Sequence, residues 1–252
     1  MNRLDRRLEQ CVSRRLRRVH AQTLMRRQSG RARYRPTMEF TDWESLWSAG
    51  RTQFHQSDVN SHLRRFADQV WGESIGRVYV PLCGKSLDMV FLADRGVEVV
   101  GVEFVKQAVA EFFHEQGLTP EIENEPHVRY HADPYTLFAA DFFSLTADDL
   151  GTIDAVFDRA SLVALDAPTR ARYAEHLSSI LPSGATVMLV SFDYDQSEMD
   201  GPPFAVSTEE VHQLYAPNFD IEHLDTTEAL NDRMRQQGLT AFSVSAFKLT
   251  KR

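Results

Sequence analysis

The sequence predicts an α/β protein built on a mainly parallel sheet. From residue 77 onwards, apolar runs typical of buried strands alternate with segments of helical spacing. Two further strand-like segments, FDIEHLDTTEAL and FSVSAFKLTK, close the chain. Alternating strands and helices form parallel sheets with helices on both faces, whereas a closing strand pair adds an antiparallel edge. The predicted architecture is therefore an open twisted sheet covered on both sides.

The individual elements follow from local patterns. Two amino-terminal helices are predicted: FTDWESLWS, capped by Thr41 or Asp42, and a second around VNSHLRRFADQV. The following elements are strand 77–82, helix 86–94, strand 97–103, helix 105–116, a hairpin around Asp133-Pro134 leading into a third strand, a fourth strand ending near Asp158, a helix starting at Pro168 and a fifth strand in ATVMLVSFDYD.

Cysteine usage and hydropathy restrict the class of protein. The chain has 252 residues, which suits one domain with a full core or one domain plus a tail. Its two cysteines, Cys11 and Cys83, have neither metal-ligand spacing nor the pattern of a disulfide framework, so we expect a reducing compartment. No apolar run approaches the length of a membrane span, and no signal-peptide core stands near the start.

The net charge of −8 conceals a strong asymmetry. Residues 1–37 contain 12 arginines against Asp5 and Glu9, net +10, which leaves −18 for residues 38–252. We expect residues 1–37 to form a basic, disordered extension, because one-signed charge with few apolar residues cannot support a packed core. A nucleic-acid-binding or membrane-surface arm and a targeting peptide are the alternatives.

The segment VPLCGKS has the end of a phosphate-binding loop but lacks its beginning. Such a loop needs a second glycine five positions before Gly84, and Tyr79 stands there. The next strand ends in Glu103, 19 residues after Gly84. An acidic side chain at about this offset binds the two ribose hydroxyls of adenosine in sheets of this type. The pattern favours an adenosine cofactor over a triphosphate.

Other polar or apolar residues follow the remaining strands, where ligands of open α/β sheets bind. The candidates are Leu82, Cys83, Gly84, Glu103, Asp141, Phe142, Asp158, Arg159 and residues 193–195. Each has an ordinary structural alternative. Leu82 and Phe142 could be core residues, Cys83 a buried filler, and Asp158 with Arg159 a surface ion pair. Trp43 and Trp47, four residues apart, could be core or an aromatic wall over a ligand.

A single glycine in the turn suits S-adenosylmethionine better than NAD, because the pyrophosphate of NAD needs a glycine-rich approach to a helix amino terminus. The segments DWESLWSAGRTQFHQ, VPLCGKSLDMVFLADRGVEVVGVE, FDRASLVAL and FDYDQSEMDGPPFAV together resemble the thiopurine S-methyltransferase family, especially its bacterial members. The resemblance runs from about Trp43 to the carboxyl terminus and assigns residues 38–252 to an S-adenosylmethionine-dependent methyltransferase domain. The arginine-rich arm departs from typical bacterial members, and the acceptor-binding arginines of the family have no clear match.

The resemblance implies a Rossmann-like class I methyltransferase with a mainly parallel seven-stranded twisted sheet, an antiparallel edge strand and helices on both faces. It implies that Trp47, Leu82, Glu103 and Arg159 contact S-adenosylmethionine. Trp43 would add to the aromatic wall, Asp141 and Phe142 resemble the adenine-side segment, and Phe54 resembles the acceptor wall. The implied reaction is methylation of a thiopurine, a small thiol, or a selenium or tellurium species, in cytoplasmic detoxification of xenobiotics.

Methyl transfer from a sulfonium to a thiolate needs positioning more than proton transfer, because thiols ionise near neutral pH. No dedicated catalytic residue is therefore expected. His55 is the best candidate for a proton acceptor, although a packing histidine is the simpler interpretation. We expect a monomer with no metal, membrane or nucleic-acid partner. Two other functions remain open: methyl transfer to a halide or hydroxyl acceptor, or another adenosine-cofactor activity, and a non-catalytic protein whose basic arm binds RNA.

Overall fold

The computed structural model describes residues 40–52, 55–72 and 75–252. Within these residues the chain forms one nine-stranded sheet in the order β3-β4-β5-β2-β1-β6-β7-β9-β8. The strands are β1 (Arg77–Pro81), β2 (Glu98–Glu103), β3 (Glu121–Glu123), β4 (Val128–Ala132), β5 (Tyr135–Ala139), β6 (Ala155–Arg159), β7 (Thr186–Asp193), β8 (Phe219–Glu228) and β9 (Ser243–Lys251). Neighbours from β5 through β7 are parallel, and β9 runs antiparallel to both β7 and β8. The predicted mainly parallel sheet with an antiparallel edge is confirmed.

The sheet has two more strands than the seven expected. Strands β3 and β4 extend the other edge as an antiparallel meander beyond β5. The three residues of β3, Glu-Ile-Glu, are all exposed, so they lack the alternation of buried and polar residues that identifies a strand. Strand β4 belongs to the hairpin expected at Asp133-Pro134 and lengthens the sheet.

The helices pack on both faces, as predicted. They are α1 (Phe40–Ser48), α2 (Ser61–Trp71), α3 (Leu87–Ala93), α4 (Lys106–Glu115), α5 (Ala147–Leu150), α6 (Ala167–Ile180), α7 (Thr208–Tyr215) and α8 (Asp232–Gln236). The expected cap of α1 is wrong: the helix begins at Phe40, so Thr41 and Asp42 lie inside its first turn. Asn60 caps α2 by accepting backbone N–H groups of His62 and Leu63.

Strand β1 shows how the sheet divides the core into two layers. Val78 and Val80 belong to the hydrophobic cluster that includes residues of α2, α3 and α4. Tyr79, between them, belongs to the cluster on the other face with α6 and α7. Successive strand side chains point to opposite faces, so burial of both neighbours requires helices on both sides. Among the described residues, none of the helices combines the length and the apolar composition that a transmembrane span requires.

Asp158 is a carboxylic acid inside the second of these layers. It is completely buried on β6, and the Tyr173 hydroxyl donates a 2.8 Å hydrogen bond to its Oδ2. Burial raises the pKa of Asp158 from 3.8 to about 6, although hydrogen bonds from Tyr173 and Ser161 oppose the increase. The folded protein therefore holds this proton at pH values where the unfolded chain has released it.

This proton predicts a pH dependence of stability. Folding takes up a proton between pH 3.8 and about 6, so the contribution of Asp158 to stability falls as the pH rises through this window. Asp158→Asn keeps an acceptor for Tyr173 and removes the charge. We expect the free energy of unfolding of the variant, relative to that of wild type, to increase by about 2–3 kcal/mol as the pH rises from 4 to 8, as measured by urea unfolding. Asp200→Asn, at an exposed position, serves as the control. A stability difference independent of pH would contradict the assignment.

Candidate cofactor site

The carboxyl ends of β1, β2 and β6 meet at one edge of the sheet, and the turn after β1 lies there. The turn contains two residues of positive φ, Leu82 at 45° and Gly84 at 51°. A leucine in this region is uncommon and marks a constrained backbone, of the kind often found at binding sites. The Cys83 N–H donates to the Val102 carbonyl at 2.9 Å, which ties the turn to β2. Ser86 ends the turn as the cap of α3.

Cys83 has a structural role in this turn. It is buried, and a side chain at Gly101 would place its Cβ 2.8 Å from Cys83 Sγ, which is closer than packed atoms approach. Burial raises the pKa of the Cys83 thiol well above its ordinary value, and the carboxylate of Glu103 adds to the increase. A thiol held in this form is unreactive. Cys83 is therefore a small buried packing residue, which was the structural alternative considered from the sequence.

Glu103 joins the turn to the next helix. Its Oε2 accepts the Gly84 N–H at 3.0 Å, and its Oε1 accepts the Val105 N–H at 2.7 Å, just before α4 begins. Burial raises the pKa of Glu103, whereas hydrogen bonds from the backbone N–H groups of Val105, Gly84 and Phe104 lower it. Each carboxylate oxygen can accept two hydrogen bonds. Three backbone N–H groups, of Gly84, Val105 and Phe104, therefore leave acceptor capacity on this carboxylate for a ribose hydroxyl.

Trp47 on α1 lies against the same turn. A methyl group added at Gly84 would lie 3.5 Å from the Trp47 ring, and Trp47 is 4% exposed. The ring belongs to a small cluster with Val105 and Ala108, against which Trp43 also packs. Core packing and an aromatic wall are thus not alternatives for Trp47, because the ring is buried while lying over the loop that would hold a ligand.

Lys85 does not act as a phosphate-loop lysine. Its Nζ donates to Glu111 at 2.9 Å and to Glu115 at 2.5 Å, both on α4, and lies 6.0 Å from the centre of the Trp47 ring. Tyr79, at the position of the missing glycine, is completely buried. The lysine charge is thus neutralised by two carboxylates, in agreement with the argument against a triphosphate ligand.

Arg159, at the end of β6, has a different partner from the one considered. Its Nε donates to Asp88 Oδ2 at 2.7 Å, and its Nη2 lies 3.3 Å from Ser86 Oγ. The proposed surface ion pair between Arg159 and Asp158 is wrong, because neighbouring strand residues point to opposite faces and Asp158 bonds Tyr173. Arg159 is thereby held beside the turn after β1.

Asp141 and Phe142 follow β5 and begin a short 3-10 turn. Asp141 Oδ1 accepts the Phe143 N–H at 3.0 Å, so this side chain acts as a cap. The Phe142 ring is 5% exposed and stacks on Tyr173 with 4.5 Å between ring centres. Burial of the ring restricts any ligand contact by Phe142 to its backbone. The segment still lies beside Glu103, because the Ala140 N–H donates to the Glu103 carbonyl at 3.1 Å.

His55 lies among the charges that flank the site. Burial lowers its pKa below the ordinary value, and the positive charges of Lys85 and Arg159 lower it further, against the opposite effects of Glu115 and Asp88. His55 is therefore neutral at pH 7 and a weak base. Phe54, predicted to line the acceptor wall, lies outside the described residues.

Three residues that hold Arg159, directly or through another side chain, were not predicted from the sequence: Asp88, Ser86 and Asn60. Asp88 Oδ1 accepts the Asn60 N–H at 2.7 Å, and Ser86 Oγ donates to Asp88 Oδ2 at 2.9 Å. In the sequence, Ser86 and Asp88 have the pattern of an ordinary helix start, where a cap and an acidic residue are common. The burial of Asp88, at 1% exposure, was the missing information.

Comparison with known proteins identifies the family. The family model of thiopurine S-methyltransferase (TPMT) matches residues 38–252. A thiopurine S-methyltransferase of Nitrosospira multiformis is 43% identical over 213 residues, 83% of this chain and 97% of that protein. One of Pseudomonas fluorescens is 41% identical over 210 residues, 82% of this chain and 96% of that protein.

Solved structures support the same fold at lower sequence identity. An S-adenosylmethionine-dependent methyltransferase of Anabaena variabilis superposes with a TM-score of 0.58 at 14% identity, covering 86% of this chain and 97% of that one. The 1,6-didemethyltoxoflavin-N1-methyltransferase of Burkholderia thailandensis superposes with a TM-score of 0.56 at 16% identity, covering 84% and 87%. The fold is the Rossmann-like class I methyltransferase fold, and the chain belongs to the thiopurine S-methyltransferase family.

Proposed function

We propose that this protein transfers a methyl group from S-adenosylmethionine to the sulfur or selenium of a small acceptor: a thiopurine, another small thiol, or a selenium or tellurium species. It is an S-adenosylmethionine-dependent methyltransferase by family, and S-adenosylmethionine is its cofactor. The acceptor class is proposed from the name of the relatives and from the chemistry of the site. The observation that carries the cofactor site is Glu103, whose carboxylate lies beside the turn after β1 and bonds the backbone of Gly84 and Val105.

The residues present fit this cofactor. Glu103 would accept hydrogen bonds from the ribose, and the Leu82 to Gly84 backbone would run beside the ribose. Arg159 would bind the carboxylate of the methionine part, because guanidinium and carboxylate form paired, charge-assisted hydrogen bonds. Trp47, with Trp43, would shield the site from water, and the segment of Asp141 and Phe142 would border the adenine through its backbone.

The chemistry needs little from ionisable side chains. When bound, S-adenosylmethionine supplies a methyl group on a positively charged sulfur. The protein must then hold the acceptor in line and exclude water, a positioning effect that can lower a barrier by several kcal/mol. An alcohol acceptor needs a general base, and burial lowers the pKa of His55, the histidine considered for that role, whereas a thiol near pKa 8.5 ionises partly at neutral pH without such help. This contrast favours a chalcogen acceptor.

A labelled methyl-transfer assay tests the proposal. We expect transfer to aromatic thiols, thiopurines and selenite, and none to matched phenols or to iodide. Transfer to phenols or iodide at comparable rates would replace the chalcogen proposal by the alternative of a non-chalcogen acceptor. Absence of transfer to any acceptor, together with no binding of S-adenosylhomocysteine, would overturn the proposed activity itself.

Glu103→Gln should weaken cofactor binding more than turnover. An acceptor that bonds the ribose equally in the ground state and the transition state contributes to KM, and its loss costs about 1–3 kcal/mol. We expect the Kd of S-adenosylhomocysteine and the KM of the cofactor to rise about 5- to 150-fold, with kcat at saturation changed much less. Glu98→Gln, on the same strand but paired with Arg77 at its other end, should leave both constants unchanged. An unchanged Kd in Glu103→Gln would remove this residue from the site.

The pH dependence of the rate should follow the acceptor. If no side chain acts as a general base, the apparent pKa of kcat/KM shifts with the acceptor's own pKa when an aromatic thiol replaces an aliphatic one. His55→Ala should then keep its turnover within about threefold, whereas loss of a general base costs about a hundredfold or more. A profile that stays fixed across acceptors, combined with a large loss in His55→Ala, would show that His55 is catalytic.

We propose that residues 38–252 form the methyltransferase domain and that residues 1–37 are a basic extension that catalysis does not require. The proposal rests on the composition of the extension and on the extent of the family match. Deleting residues 1–37 should leave Tm and kcat/KM unchanged. A large fall in Tm after the deletion, measured by scanning calorimetry, would show that these residues stabilise the domain.

We further propose that the protein is a monomer that acts on a small-molecule acceptor in the cytoplasm, with a role in detoxification of xenobiotics. Gel filtration with light scattering tests the oligomeric state.

A further inference from the structure

Asp88 is a charged residue for which the proposed chemistry has no use. It lies in the first turn of α3 and is 1% exposed. Its two oxygens accept three hydrogen bonds from different parts of the chain: the Asn60 N–H at 2.7 Å, the Ser86 hydroxyl at 2.9 Å and the Arg159 Nε–H at 2.7 Å. A buried carboxylate is costly unless it is paired in this way. One carboxylate thus accepts hydrogen bonds from the cap of α2, the cap of α3 and the last residue of β6.

The consequence for Arg159 is a fixed orientation. Its side chain is 8% exposed, so the guanidinium has little room to turn. Nε is directed at Asp88 and Nη2 at Ser86, whereas Nη1 has no hydrogen bond to another described residue. Because guanidinium is planar, fixing two of its nitrogens fixes the direction of the third. The direction of the Nη1 donors is therefore determined by the hydrogen bond between Arg159 and Asp88.

We propose that Asp88 is a positioning residue that orients Arg159 toward the carboxylate of the methionine part of the cofactor. This inference rests on the proposed function, because it assumes that the cofactor site lies at the turn after β1. Asp88 touches no reacting atom. It determines cofactor affinity only through Arg159, so its influence is restricted to ligands that carry the amino-acid carboxylate.

This restriction separates positioning from a general structural role. S-Adenosylhomocysteine carries the carboxylate, whereas 5′-methylthioadenosine keeps the adenosine and the sulfur but lacks the carboxylate. A variant that misaligns Arg159 loses affinity for the first compound alone. A variant that distorts the turn after β1 loses affinity for both, because Glu103 and Gly84 belong to that turn.

The experiment is isothermal titration of wild type and Asp88→Asn with both compounds. We expect Asp88→Asn to weaken binding of S-adenosylhomocysteine tenfold or more and to change binding of 5′-methylthioadenosine by less than twofold. In an Arg159→Gln background, adding Asp88→Asn should weaken S-adenosylhomocysteine no further. Asp88→Glu covers the case in which Asp88→Asn does not fold. The longer side chain displaces the guanidinium, so it should weaken S-adenosylhomocysteine at least threefold and spare 5′-methylthioadenosine.

The control is Glu210→Gln, which removes the charge from another buried arginine pair. Glu210 binds Arg170 at 2.9 Å, and the Arg170 side chain is 7% exposed. Glu210→Gln should leave the affinity for both compounds unchanged. Equal losses for both compounds, no loss for either, or a further loss in the Arg159→Gln background would overturn the positioning role. If wild type itself binds neither compound, the proposed function fails, and this inference fails with it.

Discussion

The carboxylate of Glu103 is the interaction on which the site depends. It bonds the backbone of Gly84 after β1 and of Val105 before α4, so it joins the ends of two adjacent parallel strands. The turn it holds includes Leu82 at positive φ, a conformation that a leucine keeps only when its surroundings enforce it, and Gly84, which adopts positive φ without strain. In the proposed complex the same carboxylate also accepts from the ribose, so that one group shapes the loop and binds the ligand.

The second support of the site is ionic. Arg159 and Asp88 are both withdrawn from water, and an isolated pair of this kind contributes little net stability because desolvation offsets the attraction. The pair instead fixes the orientation of the Arg159 guanidinium, because hydrogen bonds from Ser86 and Asn60 hold Asp88 in place. Lys85 illustrates the opposite arrangement, with its charge cancelled by two glutamates of α4. Lys85 is thus held by two carboxylates of one helix, whereas Arg159 shares a single buried carboxylate.

The sequence predicted the parts of this arrangement that depend on periodicity and spacing. Strands buried on both faces and the 19-residue offset between Gly84 and Glu103 are visible as patterns. Strand β3 was missed because a three-residue exposed strand has no hydrophobic period. The partner of Arg159 was missed because Asp88 is 71 residues away and resembles a helix-start residue. The stacking of the Phe142 ring on Tyr173 was not predicted either, because local spacing does not encode contacts between residues far apart in the chain.

A crystal structure of the complex with S-adenosylhomocysteine tests whether one carboxylate holds the turn and the ribose at the same time. Both ribose hydroxyls should lie within hydrogen-bonding distance of the Glu103 oxygens, with the bonds from Gly84 and Val105 preserved. A ribose bound elsewhere, or a Glu103 side chain that releases Gly84 in order to reach the ligand, would contradict it.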